Sequence, residues 1–394
     1  MAIDFLTKYQ YTVNGDVMSK EIQFLIKLIS AILYSKPLPE TLPDLDWNKV
    51  RFLILNSKLS GLVYESLEQM QGVPKELLDT LRAKYKKSVR RSVLQEYYAE
   101  EILKRLEERG VPCLPMKGIV IRKLYPQVYM RKMTDVDILV AADKIEIARE
   151  IMRELGFEEH RDDAYYKDKG VTVEIQRWFF PKLYDGYFDI DFSKFHLQEG
   201  KSYTYEMGID DFYIYIIAHM ASHFMYEGLG VRAVIDVRLY LDAYEKSMDR
   251  DYIERELKKL GLSTFARQLE KLSAGWFLGE EQDEFSRELG RYILKSGYSG
   301  SSETRATLQI LHEGERGKAI IAKIIPPYTT MVFYYPILKK LPVLLPVTWV
   351  ARWLTVLFTR TKNIKKIKDL SQVGEEKVQR VDALYEKLEI KHLL

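Results

Sequence analysis

The chain has 394 residues, 47% of them hydrophobic, and its 60 lysines and arginines stand against 57 aspartates and glutamates for a net charge of +3. That length is more than one compact core needs, so two or three packed units are expected, and the apolar fraction excludes a disordered or low-complexity chain. The balanced charge argues against a protein built to wrap a long nucleic-acid backbone, and the single cysteine, Cys113, excludes an intrachain disulfide framework. Cys113 sits in an apolar run, so a buried, inert thiol is expected. The first residues show no basic flank followed by an apolar core, which predicts no secretory leader and a cytoplasmic location.

In chain order, Ile22, Leu25, Ile26, Ile29 and Ile32 recur at helical spacing and Pro37 and Pro39 end the pattern. A second helix is predicted from about Lys86 to Arg109, with Val89, Val93, Tyr97, Ile102, Leu103 and Leu106 on its apolar side and Gly110 as its stop. The texture then changes. Val111–Met116 reads as a buried strand, Ile119–Tyr125 as a helical turn or two, and Val136–Val140 as a β-branched strand. Asp143 and Glu146 have the form of a capping pair for a helix carrying Ile147, Ile151, Met152 and Leu155, which Gly156 ends. Val171–Ile175 alternates as a further strand. From Asp210 the chain reads as helical again, with Phe212, Ile216, His219, Met220 and His223 on one face, a helix over Ala233–Tyr244, and helices to the end.

Chemistry concentrates in Thr134-Asp135-Val136-Asp137-Ile138-Leu139-Val140. On a strand Asp135 and Asp137 point the same way while Val136, Ile138 and Val140 face the core. Two adjacent carboxylates repel unless a cation lies between them, and Mg²⁺, which prefers hard oxygen ligands, is the natural one. Glu174 adds a third acid on a neighbouring predicted strand, enough for a two-metal site acting on an in-line displacement at phosphorus. Lys117-Gly118 falls where a strand turns into a helix, the usual geometry for phosphate contact. Arg131 is positioned in sequence to add a charge-assisted phosphate contact. Singly, each feature is more often an ordinary surface or packing residue; their order is what carries the reading.

Met116-Lys117-Gly118, Leu124-Tyr125-Pro126, Arg131, Thr134–Val140 and Val173-Glu174-Ile175 together resemble the bacterial uncharacterised nucleotidyltransferase family, within the DNA polymerase β-like nucleotidyltransferase superfamily. The resemblance extends to about Tyr244. It implies an α+β or α/β fold: a small mixed-sheet nucleotidyltransferase core (106–200) flanked by N-terminal (1–105) and C-terminal (201–394) helical regions. It also implies transfer of a nucleoside monophosphate from an NTP, with ATP the first expectation, to an acceptor hydroxyl or phosphate, using Mg²⁺ or Mn²⁺. By motif position Asp135, Asp137 and Glu174 are the metal ligands, and Lys117 and Gly118 form the phosphate turn with Arg131 beside it. Two departures stand out. The superfamily turn is usually Gly-Ser or Gly-Gly, here Gly118-Ile119. The narrower family often carries a histidine two positions after the third acid, here Gln176, whose amide does not titrate.

Other features weigh less. His219 and His223 are spaced for one helical face, as in a zinc site, but histidines packed on the core or lining the cleft are the expected arrangement. Arg177-Trp178-Phe179-Phe180 is read first as core packing and second as a base-stacking platform. Residues 341–368, with Trp349, Trp353 and a trailing basic run, are read first as an amphipathic helix covering the core or a partner subunit and second as a peripheral membrane contact. An active transferase acting on a small molecule, a sugar or a protein hydroxyl is the leading reading, and a catalytically silent nucleotide-binding scaffold is its rival. Sequence leaves the acceptor and the oligomeric state open.

Overall fold

A computed structural model describes residues 19–393 other than 162, 168–169, 181–183, 185, 299 and 360–368. The stretch read for a leader and the basic run 360–368 therefore lie outside the described residues. The chain forms two compact units. The first comprises the described residues within Met1–His219 and Val231–Leu294, and the second those within Met220–Gly230 and Lys295–Leu394.

In the first unit, helices α1 (Lys20–Leu33), α2 (Trp47–Asn56) and α3 (Ser60–Gln69) precede a 34-residue helix α4 (Lys75–Glu108). Ser19 and Asp46 cap α1 and α2 by accepting from free backbone N–H groups of the first turn. The long helix starts eleven residues before the expected Lys86, directly after Pro74, whose missing N–H costs nothing at a helix start. Its buried face also differs from the sequence reading. Leu81, Ser92, Gln95, Ala99, Ile102 and Leu106 point inward, whereas Val93 and Tyr97 are exposed. Packing on the sheet selects the stripe through Ala99, Ile102 and Leu106, and Val93 and Tyr97 lie off it.

The sheet combines β1 (Cys113–Pro115), β2 (Val136–Val140), β3 (Glu158–Arg161), β4 (Ala164–Lys167) and β5 (Val171–Gln176) in the order β1-β2-β5-β4-β3. Only the β2–β5 pair is parallel, so the sheet is mixed. Helix α5 (Gly118–Ile121) follows β1, and α6 (Ile145–Glu154) follows β2. Val136, Ile138, Val140, Val173 and Ile175 meet Ala99, Ile102 and Leu106 of α4 and Ile151 and Met152 of α6 in one core. The expected capping pair does not form: a 3-10 turn over Ala142–Lys144 moves the helix start past Asp143, and Glu146 accepts from Arg149 instead. Cys113 is fully buried, and burial pushes its thiol up to about 12, which leaves it inert at neutral pH.

A short pair β6 (His196–Leu197) and β7 (Tyr205–Glu206) leads into α7 (Ile209–Tyr226). The first unit is completed by α8 (Val231–Tyr244), α9 (Arg250–Lys259), α10 (Ser263–Phe277) and most of α11 (Glu284–Ser296). The second unit is built from α12 (Ser302–Glu313), α13 (Arg316–Ile324), α14 (Tyr328–Tyr334), α15 (Leu345–Thr359) and α16 (Glu375–Lys387).

Candidate active site

Parallel pairing of β2 and β5 sets Asp137 directly beside Glu174. Because alternate residues of a strand face opposite sides, the valines and isoleucines of both strands enter the core and these two acids share the other face. Gln176 lies two residues beyond Glu174 on that same face, and Asp135 stands immediately before β2. Asp137 is almost fully buried, while Asp135, Glu174 and Gln176 are half-buried.

Lys117 brings an ammonium to these acids at contact distance. Lys117 Nζ donates to Asp137 Oδ1 at 2.7 Å, and Gln176 Nε2 donates to the same oxygen at 2.6 Å and to Glu174 Oε2 at 3.2 Å. Lys117 sits at φ 51°, ψ −116°, immediately before α5. Side chains rarely adopt that conformation, and holding one there costs on the order of 1–3 kcal/mol. Burial works against the Lys117 ammonium, but Asp137, Tyr215 and Asp135 outweigh it and hold the lysine above its usual range.

The acids exceed the cation. Burial, then Asp137 and Glu174, push Asp135 up to about 7, and burial followed by Asp137 raises Glu174. Between about pH 4 and about pH 7 the folded chain therefore keeps a proton on Asp135 that the unfolded chain releases. This contribution to stability is fully present below about pH 4 and is lost as pH rises through about 7. Asp135→Asn is accordingly expected to raise the melting temperature in chelator at pH 8 and to change little at pH 4. Each pKa unit of displacement corresponds to about 1.4 kcal/mol. A melting curve for Asp135→Asn that follows wild type at both pH values would contradict this.

Arg131 is placed differently from the phosphate contact expected of it. Its Nε and Nη2 donate to Asp236 Oδ1 and Oδ2 at 2.8 and 2.7 Å, and Tyr125 Oη donates to Asp236 Oδ1 at 2.7 Å. All three residues are buried. The remaining Arg131 nitrogen lies against Gly118: a Cβ at 118 would stand 2.7 Å from Arg131 Nη1 and 2.8 Å from Met133 Sδ. A side chain at 118 would therefore force Arg131 or Met133 behind the turn to shift, independently of any phosphate in front. Gly118→Ala is expected to destabilise the chain by about 1–3 kcal/mol through overpacking, read by urea unfolding. No change in the midpoint would show that Arg131 and Met133 yield freely.

Tyr215 on α7 is the group that sequence patterning missed. Its ring is fully buried between Phe179, Phe180, Phe212 and His219, and its hydroxyl has no hydrogen-bond partner among the described residues. Burial raises the phenol and Asp137 adds to that, while Lys117 opposes it, so the hydroxyl sits within electrostatic reach of the Lys117–Asp137 pair. In sequence, Tyr215 reads only as one more apolar residue of a buried helix. Asp236 could be singled out in sequence as a possible contact to acceptor or nucleotide, but its pairing with Arg131 was hidden, because nothing local marks a partner 105 positions away. Near Asp135 the protein is basic: Lys58, Lys84, Lys87 and Arg91 surround Lys132, and burial together with these cations lowers its ammonium to about 8. Arg91 donates to Thr134 O, Arg232 Nη1 donates to Lys132 O at 2.9 Å, and Arg232 also acts on Asp135.

His219 stacks on Tyr215 with ring centroids 6.1 Å apart, and His223 Nδ1 lies 3.4 Å from Glu227 Oε2. Among the described residues no three His, Cys, Asp or Glu side chains are grouped to hold a metal ion. Phe179 is buried, as core packing requires, while Trp178 is exposed with the Arg177 guanidinium 4.9 Å from its ring centroid.

The family described as uncharacterised nucleotidyltransferase matches residues 43–277, more than half of the chain. The chain belongs to that nucleotidyltransferase family. No curated protein and no solved structure matches it.

Proposed function

We propose that the protein transfers a nucleoside monophosphate from an NTP to an acceptor. The acceptor oxygen attacks the α-phosphorus, the bond from that phosphorus to the bridging oxygen breaks, and pyrophosphate leaves with its electron pair. The observation that carries this reading is Lys117, held in a strained backbone conformation at the start of a helix with its ammonium on a buried strand aspartate.

The donor set suits Mg²⁺ or Mn²⁺ in kind. Asp135, Asp137 and Glu174 offer hard carboxylate oxygens, and their mutual repulsion, seen in the raised Asp135 and Glu174, is what a divalent cation relieves. These three side chains would hold the metal, which when bound supplies charge stabilisation at the attacking and leaving oxygens. Lys117, which donates to Asp137 Oδ1 and sits immediately before α5, is the ammonium at hand for a phosphate oxygen of the NTP. Tyr215 Oη, with no hydrogen-bond partner among the described residues, is a second donor within electrostatic reach of that pair. Arg131 acts from behind, through Gly118, as a positioning residue. The cations around Lys132 favour an acceptor that carries negative charge.

One arrangement favours a silent, nucleotide-binding scaffold instead. Gln176, where the narrower family often carries a histidine, bridges Asp137 and Glu174, and among the described residues no acid trio is grouped for metal. Incubating the protein with cell extract and NTP labelled at either the α- or the γ-phosphate separates the readings. Monophosphate transfer places the α-label in an acceptor and the γ-label in pyrophosphate. Retention of both labels in the NTP would leave only the scaffold.

A further inference from the structure

We propose that the α13–α15 segment docks on an anionic membrane surface, laying the outer face of α15 into the lipid interface. This inference is independent of the transfer chemistry.

The first observation is geometric. Val347, Val350 and Leu354 are 62%, 60% and 51% exposed and lie on one side of α15, and Val343, 80% exposed, stands one turn before them. The opposite side anchors the helix: Trp349 and Trp353 donate through Nε1 to Pro326 O and Ile324 O at 2.9 and 2.8 Å, and Arg352 Nη1 donates to Lys323 O at 3.2 Å. The apolar face is therefore not the face this segment uses to fold. Ile321, Tyr334, Ile337 and Leu341 are exposed in the same segment, and no stretch of similar length among the described residues exposes as much large apolar side chain. Large exposed apolar patches mark interaction surfaces.

The second observation is charge. From Arg316 to Lys368 the sequence holds eleven lysines and arginines and no aspartate or glutamate, so a chain of net charge +3 carries +11 here and −8 elsewhere. That asymmetry selects the occupant. A second copy of the segment would set one +11 stretch against another. A nucleic-acid backbone would answer the charge but leave the valine and leucine face in water. An anionic bilayer answers both, taking the apolar face between headgroups whose negative charge matches the cations of the stretch. No helix among the described residues is long and apolar enough to cross a membrane, so the segment lies on the surface.

The test is co-sedimentation of the full-length protein with vesicles of phosphatidylcholine alone or mixed with phosphatidylglycerol, at about 0.1 and about 0.5 M salt. Wild type is expected to partition onto the mixed vesicles at least about tenfold more strongly than onto neutral ones, and to weaken at high salt. Val347→Glu/Val350→Glu is expected to lose about tenfold or more while melting as wild type does, since both side chains are exposed. Lys339→Glu/Lys340→Glu, both exposed and outside α15, should weaken binding to the mixed vesicles alone. Failure of wild type to bind the mixed vesicles overturns the proposal. So does unchanged binding by the valine variant, or a dimer that this variant turns to monomer without any lipid binding.

Discussion

Asp236→Ala is expected to cost about 3–5 kcal/mol of folding free energy, one of the largest effects of any single substitution in the first unit. The carboxylate is almost fully buried on α8 and accepts both parallel N–H groups of Arg131 and the Tyr125 hydroxyl. Removing it takes away the carboxylate that accepts two N–H groups of a buried guanidinium and the hydroxyl of a buried tyrosine, and the loss of such an acceptor beside a buried charge is what makes such changes expensive. Asp236→Asn keeps an acceptor for Tyr125 but not the charge, so an intermediate loss is expected. Arg131→Met/Asp236→Ala should cost less than the sum of its parts, because the second change removes the group the first one strands. Urea unfolding of the full-length chain reads all three. Activity should fall together with stability in Asp236→Ala, since Arg131 backs the Gly118 turn that positions Lys117. An Asp236→Ala protein as stable as wild type would remove Arg131 from its positioning role.

Asp137→Asn is expected to lower monophosphate transfer by about a thousandfold or more while disturbing the fold far less. The asymmetry follows from the charge count at the site. Removing Asp137 leaves Lys117 with Asp135 and Glu174 still in electrostatic reach. Removing the lysine leaves three acids without the ammonium that pairs with Asp137, and Arg232, which acts on Asp135, offsets only part of their repulsion. Lys117→Met is therefore the more destabilising of the two, by about 3–5 kcal/mol, and Lys117→Met/Asp137→Asn should recover part of that loss. Lys117→Gly relieves about 1–3 kcal/mol of backbone strain yet is still expected to destabilise, because the lost charge pairing is the larger effect. A stable Lys117→Gly protein would show that strain, not charge, dominates this turn.

How far the sequence was legible depended on whether the signal was local. β2 and β5 are short β-branched runs that alternate cleanly, so their core faces, and hence the shared face of Asp137 and Glu174, could be read from spacing alone. The β3–β4 hairpin escaped notice because Glu158-Glu159-His160-Arg161 at the sheet edge offers no apolar alternation. Val93 and Tyr97 were read as inward because helical spacing permits several stripes, and only packing against the sheet chooses one. At the site, Lys117-Gly118 was legible as a turn, but the reason for the glycine was not. Arg131 and Met133 come to it from a loop whose path depends on Asp236, on α8. Tyr215 carries no motif, and its place near the acids appears only when α7 is assembled beside β2. Gln176, two positions after Glu174, could be placed on the acids' face from spacing, though not its bridge to Asp137.

The most direct test of the central claim is calorimetric titration of NTP into the full-length protein with Mg²⁺ or Mn²⁺ and again with chelator. Asp135→Asn/Asp137→Asn is measured alongside it. The carboxylate site predicts NTP binding by wild type that needs the metal and disappears in the double variant, whose fold is checked by its melting curve. Binding that ignores both the metal and the two substitutions, or no binding of any NTP by well-folded wild type, would contradict it.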